Sequence, residues 1–346
     1  MKRLLLRCFV ISLPVFAALI FNWHIDTFNV FHWDNARFTS SSSNRNFVKT
    51  KYIVKNPKKF NAFLFGSSRV GFMPPMLLPK ELNGQPLNWY NMTSSLSVPA
   101  EQLLMMKTFL KNGVEIKMAL LEFDSLAMTG SVENHKKDLM LMPYQVYEEN
   151  LFKFYYPYLK NFADFSIVKE VLSYEPEKHA EESASFYAYG GTLAEDLTLN
   201  ENPNMENFNN ADKVFYSQKN AARDMEEISE FCRDNGIELV LFTTPSYKTC
   251  YLEEAAGGYH DFLRSVAQKC EFYNFCGLNN FTTDPRYYNE SVHFRAALGL
   301  EVEKAIFGSE EDKAQVRSKA GDDLFGVKVN SQNIEDVIAA LQAQLY

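Results

Sequence analysis

Strand-like and helix-like segments alternate along most of this chain, and this alternation restricts the possible folds more than any other feature. Short apolar runs typical of buried strands lie at residues 63–65, 87–92, 118–121, 237–243 and 271–275. Helical patterns separate or follow these runs, at residues 99–112, 218–232, 259–267 and 295–306. Parallel strands are usually joined through a helix, so this order is typical of β-α-β units. We therefore predict an α/β domain over residues 61–310, with a flavodoxin-like parallel sheet sandwiched by helices.

The alternation breaks between about residues 125 and 214, which predicts an insertion in the α/β domain. Residues 144–165 are dense in tyrosine and phenylalanine, and residues 197–212 are rich in asparagine. We expect this aromatic-rich insertion to be partly helical and partly loop. Its aromatic side chains are more typical of packing against the sheet than of direct ligand contact.

The N-terminus has the pattern of a membrane-targeting segment. Lys2, Arg3 and Arg7 precede a mostly apolar run from Cys8 to Phe21, which is typical of a signal peptide or signal anchor. We predict that residues 1–25 form an uncleaved, single-pass anchor. The basic residues should hold the N-terminus in the cytoplasm and leave the body outside it, in the periplasm or at the cell surface. Cleavage would instead give a secreted protein, and a buried N-terminal helix is the remaining alternative.

Two further segments border the predicted α/β domain. Residues 26–60 contain a serine run and are predicted to form a linker. Residues 311–346 are predicted to form a C-terminal extension. Apolar residues at helical spacing from Ile334 to Leu345 indicate a docking helix, which would pack on the body or on a partner.

Composition narrows the classes of partner. The chain is 46% hydrophobic and 23% charged, which is typical of a globular protein. Its 43 acidic and 35 basic residues give a net charge of −8, so a nucleic-acid partner is not expected. There are five cysteines but no Cys-x-x-Cys pair, so we predict no metal site. The four cysteines from Cys232 to Cys276 permit either two disulfides or buried thiols.

A small polar turn follows the first predicted strand. The sequence Gly66-Ser67-Ser68 comes directly after the apolar run 63–65. A serine at such a turn lies outside the carboxyl end of the sheet, where α/β proteins expose nucleophiles beside free backbone N–H groups. An ordinary strand-turn with two polar residues is the alternative interpretation.

A second polar segment precedes the helix predicted at residues 295–306. Glu290 lies three residues before His293 in a loop. A carboxylate at this spacing can orient the imidazole and leave its other nitrogen free to take a serine proton. The alternative is that Glu290 is a solvated loop charge and His293 caps the helix.

Together, the two segments resemble the SGNH (GDSL-like) hydrolase superfamily, whose first block is Gly-Asp-Ser and whose last is Asp-x-x-His before a helix. The resemblance implies an SGNH-type fold, with Ser68 as nucleophile, His293 as base, Glu290 as orienting acid and no cofactor. Ser67 is the alternative nucleophile. The Gly-Ser-Ser form behind an apolar N-terminus is most similar to the membrane-anchored branch that handles acyl groups on cell-surface polymers.

The chain departs from that family's pattern in three places. Glu290 stands where aspartate is usual. The second block lacks its glycine, so the amide of Asn91 and the turn at Ser95 are the candidate oxyanion or substrate-binding groups. The third block is absent, and the sequence from Glu122 to Asp124 stands at that strand end.

The resemblance therefore implies a serine esterase or O-acyltransferase that acts on acyl esters, such as acetyl esters, of an envelope or surface polysaccharide. Its expected partners are the acylated polysaccharide or an acyl donor, a membrane acyltransferase, and the membrane itself. The missing blocks leave an alternative from another class, a non-catalytic SGNH-like binding or assembly subunit of a polysaccharide-modification system.

Overall fold

The computed structural model describes residues 1–34, 43–161, 165–191, 197–209 and 221–345. The helices in these ranges are α1 (Lys2–Ile25), α2 (Arg45–Lys55), α3 (Pro99–Lys111), α4 (Leu126–Thr129), α5 (Val132–His135), α6 (Leu151–Lys160), α7 (Phe165–Leu172), α8 (Ala180–Tyr189), α9 (Ala221–Asp234), α10 (Lys248–Ala256), α11 (Tyr259–Ala267), α12 (Ala296–Phe307), α13 (Glu310–Ala320) and α14 (Ile334–Ala343). The strands are β1 (Ala62–Phe65), β2 (Glu81–Leu82), β3 (Gln85–Pro86), β4 (Trp89–Asn91), β5 (Met118–Phe123), β6 (Glu238–Thr243), β7 (Phe272–Asn274) and β8 (Val327–Val329).

Six of these strands form one mostly parallel sheet, in the order β4-β1-β5-β6-β7-β8. The first five strands in that order run parallel, and β8 joins β7 antiparallel. Counted along the chain, the five parallel strands lie in the order 2-1-3-4-5, which is compatible with a flavodoxin-like fold. The prediction of an α/β fold with a mostly parallel sheet flanked by helices is confirmed.

Both faces of the sheet are covered, which explains the unbroken apolar runs of its strands. Successive strand residues point to opposite faces. In β1, Phe63 and Phe65 pack against Phe109 of α3. Leu64 points the other way, into a core that includes Leu298 of α12. A strand buried on both sides has no polar face, so it reads as a continuous apolar run.

The C-terminal residues complete the sheet. The segment predicted as an extension supplies β8, which pairs with β7 from Phe272↔Val329 to Asn274↔Val327. The following helix, α14, packs on α11. The apolar spacing predicted this helix, whereas a three-residue antiparallel edge strand has too little pattern to be recognised from sequence.

The described chain divides into two compact units. Residues 1–52 and 133–184 form the first, which we call the helical unit. Residues 53–132 and 185–346 form the second, the sheet unit, which contains the six-stranded sheet.

In the helical unit, the insertion packs on residues that were predicted to be linker. Phe47 of α2 is fully buried and lies against Tyr144 and Phe154. The Asn44 amide donates to the Met142 carbonyl at 2.9 Å and to the Tyr158 hydroxyl at 2.9 Å. Residues 43–55 are therefore not a linker. The rings of Tyr144, Phe154 and Tyr155 pack on α2 rather than making the sheet contact predicted for the insertion. The serine run behind the linker prediction lies largely outside the described residues.

Helix α1 is the one helix among the described residues that is long and apolar enough to cross a membrane. The candidate span is Arg7–Ile25, 19 residues long, and most of its surface is exposed. By length and composition it can serve as a membrane anchor or as a signal sequence, as predicted for residues 1–25.

A buried carboxyl group on α12 joins two segments that carry site residues. The Leu77 N–H donates to Glu303 Oε2 at 2.8 Å, while Glu303 Oε1 has no partner among the described residues. Burial raises the pKa of Glu303 from its ordinary 4.5 to about 8. Helix α12 follows His293 in the sequence, and Leu77 follows Ser68. The contact therefore connects the segment after His293 to the segment after Ser68.

We expect Glu303→Gln to stabilise the protein in alkaline solution. Between its ordinary pKa and about 8, Glu303 is protonated in the folded chain and ionised in the unfolded one. The free energy of unfolding then falls with rising pH by up to about 1.4 kcal/mol per unit. The variant should lose this slope, so its Tm should exceed the parent's more at about pH 9 than at about pH 5. Thermal scans check this, with exposed Glu311→Gln as the control, and parallel Tm–pH curves for parent and Glu303→Gln would contradict it.

Candidate active site

The serine turn at the end of β1 begins at Gly66, which is closely surrounded by side chains. A Cβ added to Gly66 would lie 2.7 Å from both Glu122 Oε2 and Val70 Cγ2, so only glycine fits there. The chain then forms a short 3-10 turn over Ser68–Val70. Ser68 is half-buried at the carboxyl end of β1, the edge at which parallel sheets bind ligands.

Two buried aromatic residues fix the loop that carries the histidine. Tyr288 and Phe294 are fully buried and form an antiparallel bridge. The Asn289 N–H donates to the His293 carbonyl at 2.9 Å. This short hairpin fixes the backbone of residues 289–293 and thereby the position of the imidazole.

Ser68, His293 and Glu290 form one hydrogen-bonded series. The Ser68 hydroxyl lies 2.8 Å from His293 Nε2, and His293 Nδ1 is hydrogen-bonded to Glu290 Oε1. When Nδ1 carries the ring proton and donates it to the carboxylate, Nε2 is unprotonated. Nε2 can then accept the proton of the Ser68 hydroxyl. The structure thus brings together the three residues singled out as nucleophile, base and orienting acid.

Backbone groups hold the Glu290 carboxylate in place. Its Oε1 accepts from the His293 N–H at 3.0 Å, and its Oε2 accepts from the Val292 N–H at 3.1 Å. Burial would raise the pKa of Glu290, but the bonds from His293 and these N–H groups outweigh it and lower that pKa below its usual value. Glu290 is therefore not simply a solvated charge, and His293 does not cap α12.

Ser67 is turned away from the histidine. It is buried, and its hydroxyl donates to Asp124 Oδ2 at 3.0 Å. Its N–H donates to Glu122 Oε2 at 2.8 Å. Of the two serines in the turn, Ser68 is the one that meets the imidazole.

Asn91 and Ser95, the candidate oxyanion or substrate-binding residues, make no hydrogen bond to the other three in the described chain. Asn91 ends β4 and is fully buried; its amide donates to the Gly71 carbonyl at 3.4 Å and its carbonyl accepts from the Thr93 N–H at 2.9 Å. Ser95 is exposed on the next turn. The N–H of Ser68 itself has no hydrogen-bond partner in the described ranges, so it is the available oxyanion donor at the nucleophile.

A buried network of charges lies behind the serine turn, and sequence reasoning missed most of it. Arg69 bonds through Nε to Asp124 at 3.1 Å and through Nη1 to Glu254 at 2.7 Å. Ser125 donates to the same Glu254 oxygen at 2.7 Å. Burial alone would lower the pKa of Arg69, but the two carboxylates outweigh it and raise that pKa well above its usual value. The guanidinium therefore fixes the residue after Ser68 to two other elements of the sheet unit.

Glu122 lies directly under the turn, near the end of β5. It accepts from the Ser67 N–H and is hydrogen-bonded to the Thr244 hydroxyl. Burial and the neighbouring Asp124 raise the pKa of Glu122 well above its usual value. Glu122 and Asp124 thus hold Ser67 in place, and in the described part of the chain neither is hydrogen-bonded to Ser68.

The cysteines adopt the second of the two arrangements that the sequence allowed. All five are free thiols, and Cys232, Cys250, Cys270 and Cys276 are buried. Burial raises the pKa of the Cys276 thiol to about 12, which leaves it unreactive. Across the described ranges, no group of three or more His, Cys, Asp or Glu side chains is placed to hold a metal ion.

The fold and the site define an α/β protein with a Ser–His–Glu arrangement at the carboxyl edge of a parallel sheet. A scan against protein-family models and a search of curated proteins find no match to this chain.

Proposed function

We propose that the protein is an SGNH-type, membrane-anchored serine esterase or O-acyltransferase. Its substrates in this proposal are acyl esters, such as acetyl esters, of an envelope or surface polysaccharide. The observation that carries the proposal is the 2.8 Å contact between Ser68 Oγ and His293 Nε2, with Nδ1 on Glu290. A 225-residue separation in sequence makes this contact informative, because nothing local requires it.

The chemistry follows from the roles of the three side chains. Ser68 Oγ attacks the acyl carbonyl while His293 Nε2 takes the hydroxyl proton, and Glu290 stabilises the imidazolium. The N–H of Ser68 can donate to the developing oxyanion. The imidazolium then returns its proton to the departing sugar oxygen, which leaves an acyl-serine. Water or a second sugar hydroxyl, deprotonated by His293, then attacks the acyl-serine ester and releases Ser68. Attack by water gives hydrolysis, and attack by a sugar hydroxyl gives acyl transfer.

The substrate class and the location rest on α1 and on the family resemblance. An anchored enzyme would act on a polymer at the same surface, with the acylated polysaccharide or an acyl donor as its substrate and a membrane acyltransferase as a partner. Lys2, Arg3 and Arg7 at the start of α1 favour a cytoplasmic N-terminus. The body would then lie in the periplasm or at the cell surface.

A fluorophosphonate probe that does not cross membranes tests the nucleophile and the location together. We expect it to label the full chain in intact spheroplasts and to spare Ser68→Ala, because the activated serine reacts with phosphorus as it does with a carbonyl. A detergent extract of the full chain should hydrolyse a chromogenic acetyl ester, and an extract of Ser68→Ala should not. Labelling only after lysis would refute the location and keep the chemistry. Equal labelling and equal ester hydrolysis by parent and Ser68→Ala would refute the chemistry.

Asn91 favours a second candidate function, a binding or assembly subunit that retains the fold. Its amide is buried and engaged, so it does not present a second oxyanion donor as the chain stands. Removing one such donor costs about 2.7–4 kcal/mol in known serine enzymes. Under this alternative the probe leaves Ser68 unlabelled, and polysaccharide binding is unchanged in Ser68→Ala.

A further inference from the structure

The large exposed apolar side chains of the helical unit cluster on three of its helices. Many belong to the candidate span of α1. Outside α1, Phe152 on α6 is 69% exposed, and Phe165 and Leu172 on α7 are 82% and 70% exposed. Large apolar side chains with this much exposure are typical of an interaction site, because their contact with water is unfavourable.

The exposed apolar residues of α6 and α7 share faces along their helices. Phe152 and Tyr156 are four residues apart, and their rings stack with centroids 5.3 Å apart. Phe165 and Leu172 are seven residues apart, which places them on one face of α7 two turns from each other. Each helix thus presents an apolar strip at its surface.

Both helices pack against α1, and α6 does so at the end of the candidate span. The Asn22 amide of α1 donates to the Leu159 carbonyl of α6 at 2.6 Å, and α7 also contacts α1. Within α1, exposure is reduced at Ala18, Leu19, Asn22 and Ile25, whereas most of the preceding residues are exposed. The covered stripe therefore lies in the last two turns of the span.

The length of the span sets the depth of this contact. Nineteen residues from Arg7 to Ile25 rise about 28 Å at 1.5 Å per residue, which just crosses a hydrocarbon core of about 30 Å. The covered stripe begins at Ala18, about 10 Å before the end of the span. With Ile25 at the boundary between headgroups and acyl chains, elements packed beside this stripe lie within about 10 Å of that boundary.

The charges around the apolar strips suit that boundary. Helix α6 carries Lys153 and Lys160 and no acidic residue, and α7 carries Lys169 beside Glu170. The Lys160 ammonium lies 5.5 Å from the Tyr156 ring centroid. Aromatic rings beside lysines are typical of membrane–water interfaces, where the ring meets acyl chains and the ammonium meets lipid phosphate.

We infer that the helical unit docks onto the lipid bilayer through α6 and α7, with Phe152, Phe165 and Leu172 inserted among the lipids of the leaflet on the body's side. The helical unit then contacts the membrane in two ways, through the spanning helix α1 and through the surface of α6 and α7 that enters one leaflet. Together these contacts hold the helical unit against the bilayer. This inference rests on the membrane placement of α1 proposed above, and it is independent of the ester chemistry.

Depth-dependent fluorescence quenching tests the docking. The full chain carries Cys8→Ser and one added cysteine, at Phe165, Leu172, Phe16 or Glu170, labelled with bimane in vesicles of phosphatidylcholine and phosphatidylglycerol. The four native thiols left are buried and should not react. Phe16 reports the span, while Glu170, exposed on the opposite side of α7 from Phe165, is the matched control. Lipids with a nitroxide near the headgroup should quench positions 165 and 172 severalfold more than position 170, which aqueous iodide should quench instead.

Each other outcome overturns the inference. If position 16 is not quenched by lipids that carry the nitroxide deep in the acyl chain, α1 is outside the bilayer and the docking has no basis, whatever the esterase result. If position 16 is quenched but 165 and 172 respond like 170, α6 and α7 face water. Protection of 165 and 172 from both quenchers means that another protein surface covers them, such as a second copy of the chain.

Discussion

Glu290→Gln should fold like the parent and lower kcat on an acetyl ester by about 10³–10⁴-fold. The carboxylate of the parent receives three hydrogen bonds, from His293 Nδ1 and from the N–H groups of Val292 and His293. A glutamine has only one oxygen to offer them. The loss follows both from the missing charge opposite the imidazolium and from the position of the new NH₂ group.

The orientation of that NH₂ group explains the size of the effect. If it replaces Oε1, it faces Nδ1, and the imidazole must move its proton to Nε2, which can then no longer accept from Ser68. If it replaces Oε2, it opposes the Val292 N–H and the loop is strained. Glu290→Asp keeps the negative charge, so it should retain more of the rate than Glu290→Gln and serves as the matched control.

The same unit should show non-additive losses. His293→Ala and Ser68→Ala should each reduce kcat to a similar residual rate, and the double variant should lose little more, since the three groups act in one step. Kinetics with circular dichroism for folding measures this. Losses that multiply in the double variant, or full activity in Glu290→Gln, would show that the three residues do not act together.

The lowered pKa of Glu290 also has a consequence for the pH profile. A carboxyl group with a depressed pKa stays ionised until the solution is more acidic than its usual range. Protonation of Glu290 should therefore not set the acid limb of the rate profile.

The parts of the fold that the sequence predicted are those with local signals. β1 and β5 are buried on both faces, so their apolar runs stand out, and α11 was predicted with the bounds that it has. The meeting of Ser68 with His293 was predicted from the resemblance of their two segments to a known pattern, because no local signal joins residues 225 positions apart.

The parts that escaped prediction depend on contacts between distant segments. Nothing near Arg69 or Glu254 indicates that they pair across 185 residues. The packing of Phe47 against Phe154 likewise joins two segments that are far apart in sequence. Residues 53–132, the first segment of the sheet unit, lie between them in the chain. Buried charge and tertiary aromatic packing have no period or motif of their own, so sequence patterns alone do not reveal them.

Arg69→Met should destabilise the protein by about 3–5 kcal/mol, a large fraction of the stability of a typical domain. Methionine has a similar length but no charge. It leaves Asp124 and Glu254 buried without the cation that lies 3.1 and 2.7 Å from them. Because Arg69 is only 6% exposed, solvent cannot replace the lost partner. Arg69→Lys keeps the charge but not the planar fork that bonds both carboxylates, so its loss should be intermediate.

A second change separates the lost ion pair from the lost packing. Glu254→Gln alone should destabilise the protein, because it leaves Arg69 with less compensating charge. In combination with Arg69→Met it should recover stability, since one buried negative charge is removed along with the positive one. Urea unfolding of the four proteins measures the coupling, with Arg233→Met as the control at an arginine whose side chain is 70% exposed. If the two losses simply add, Arg69 stabilises the serine turn by packing, and the ion pairs with Asp124 and Glu254 are not what holds the turn in place.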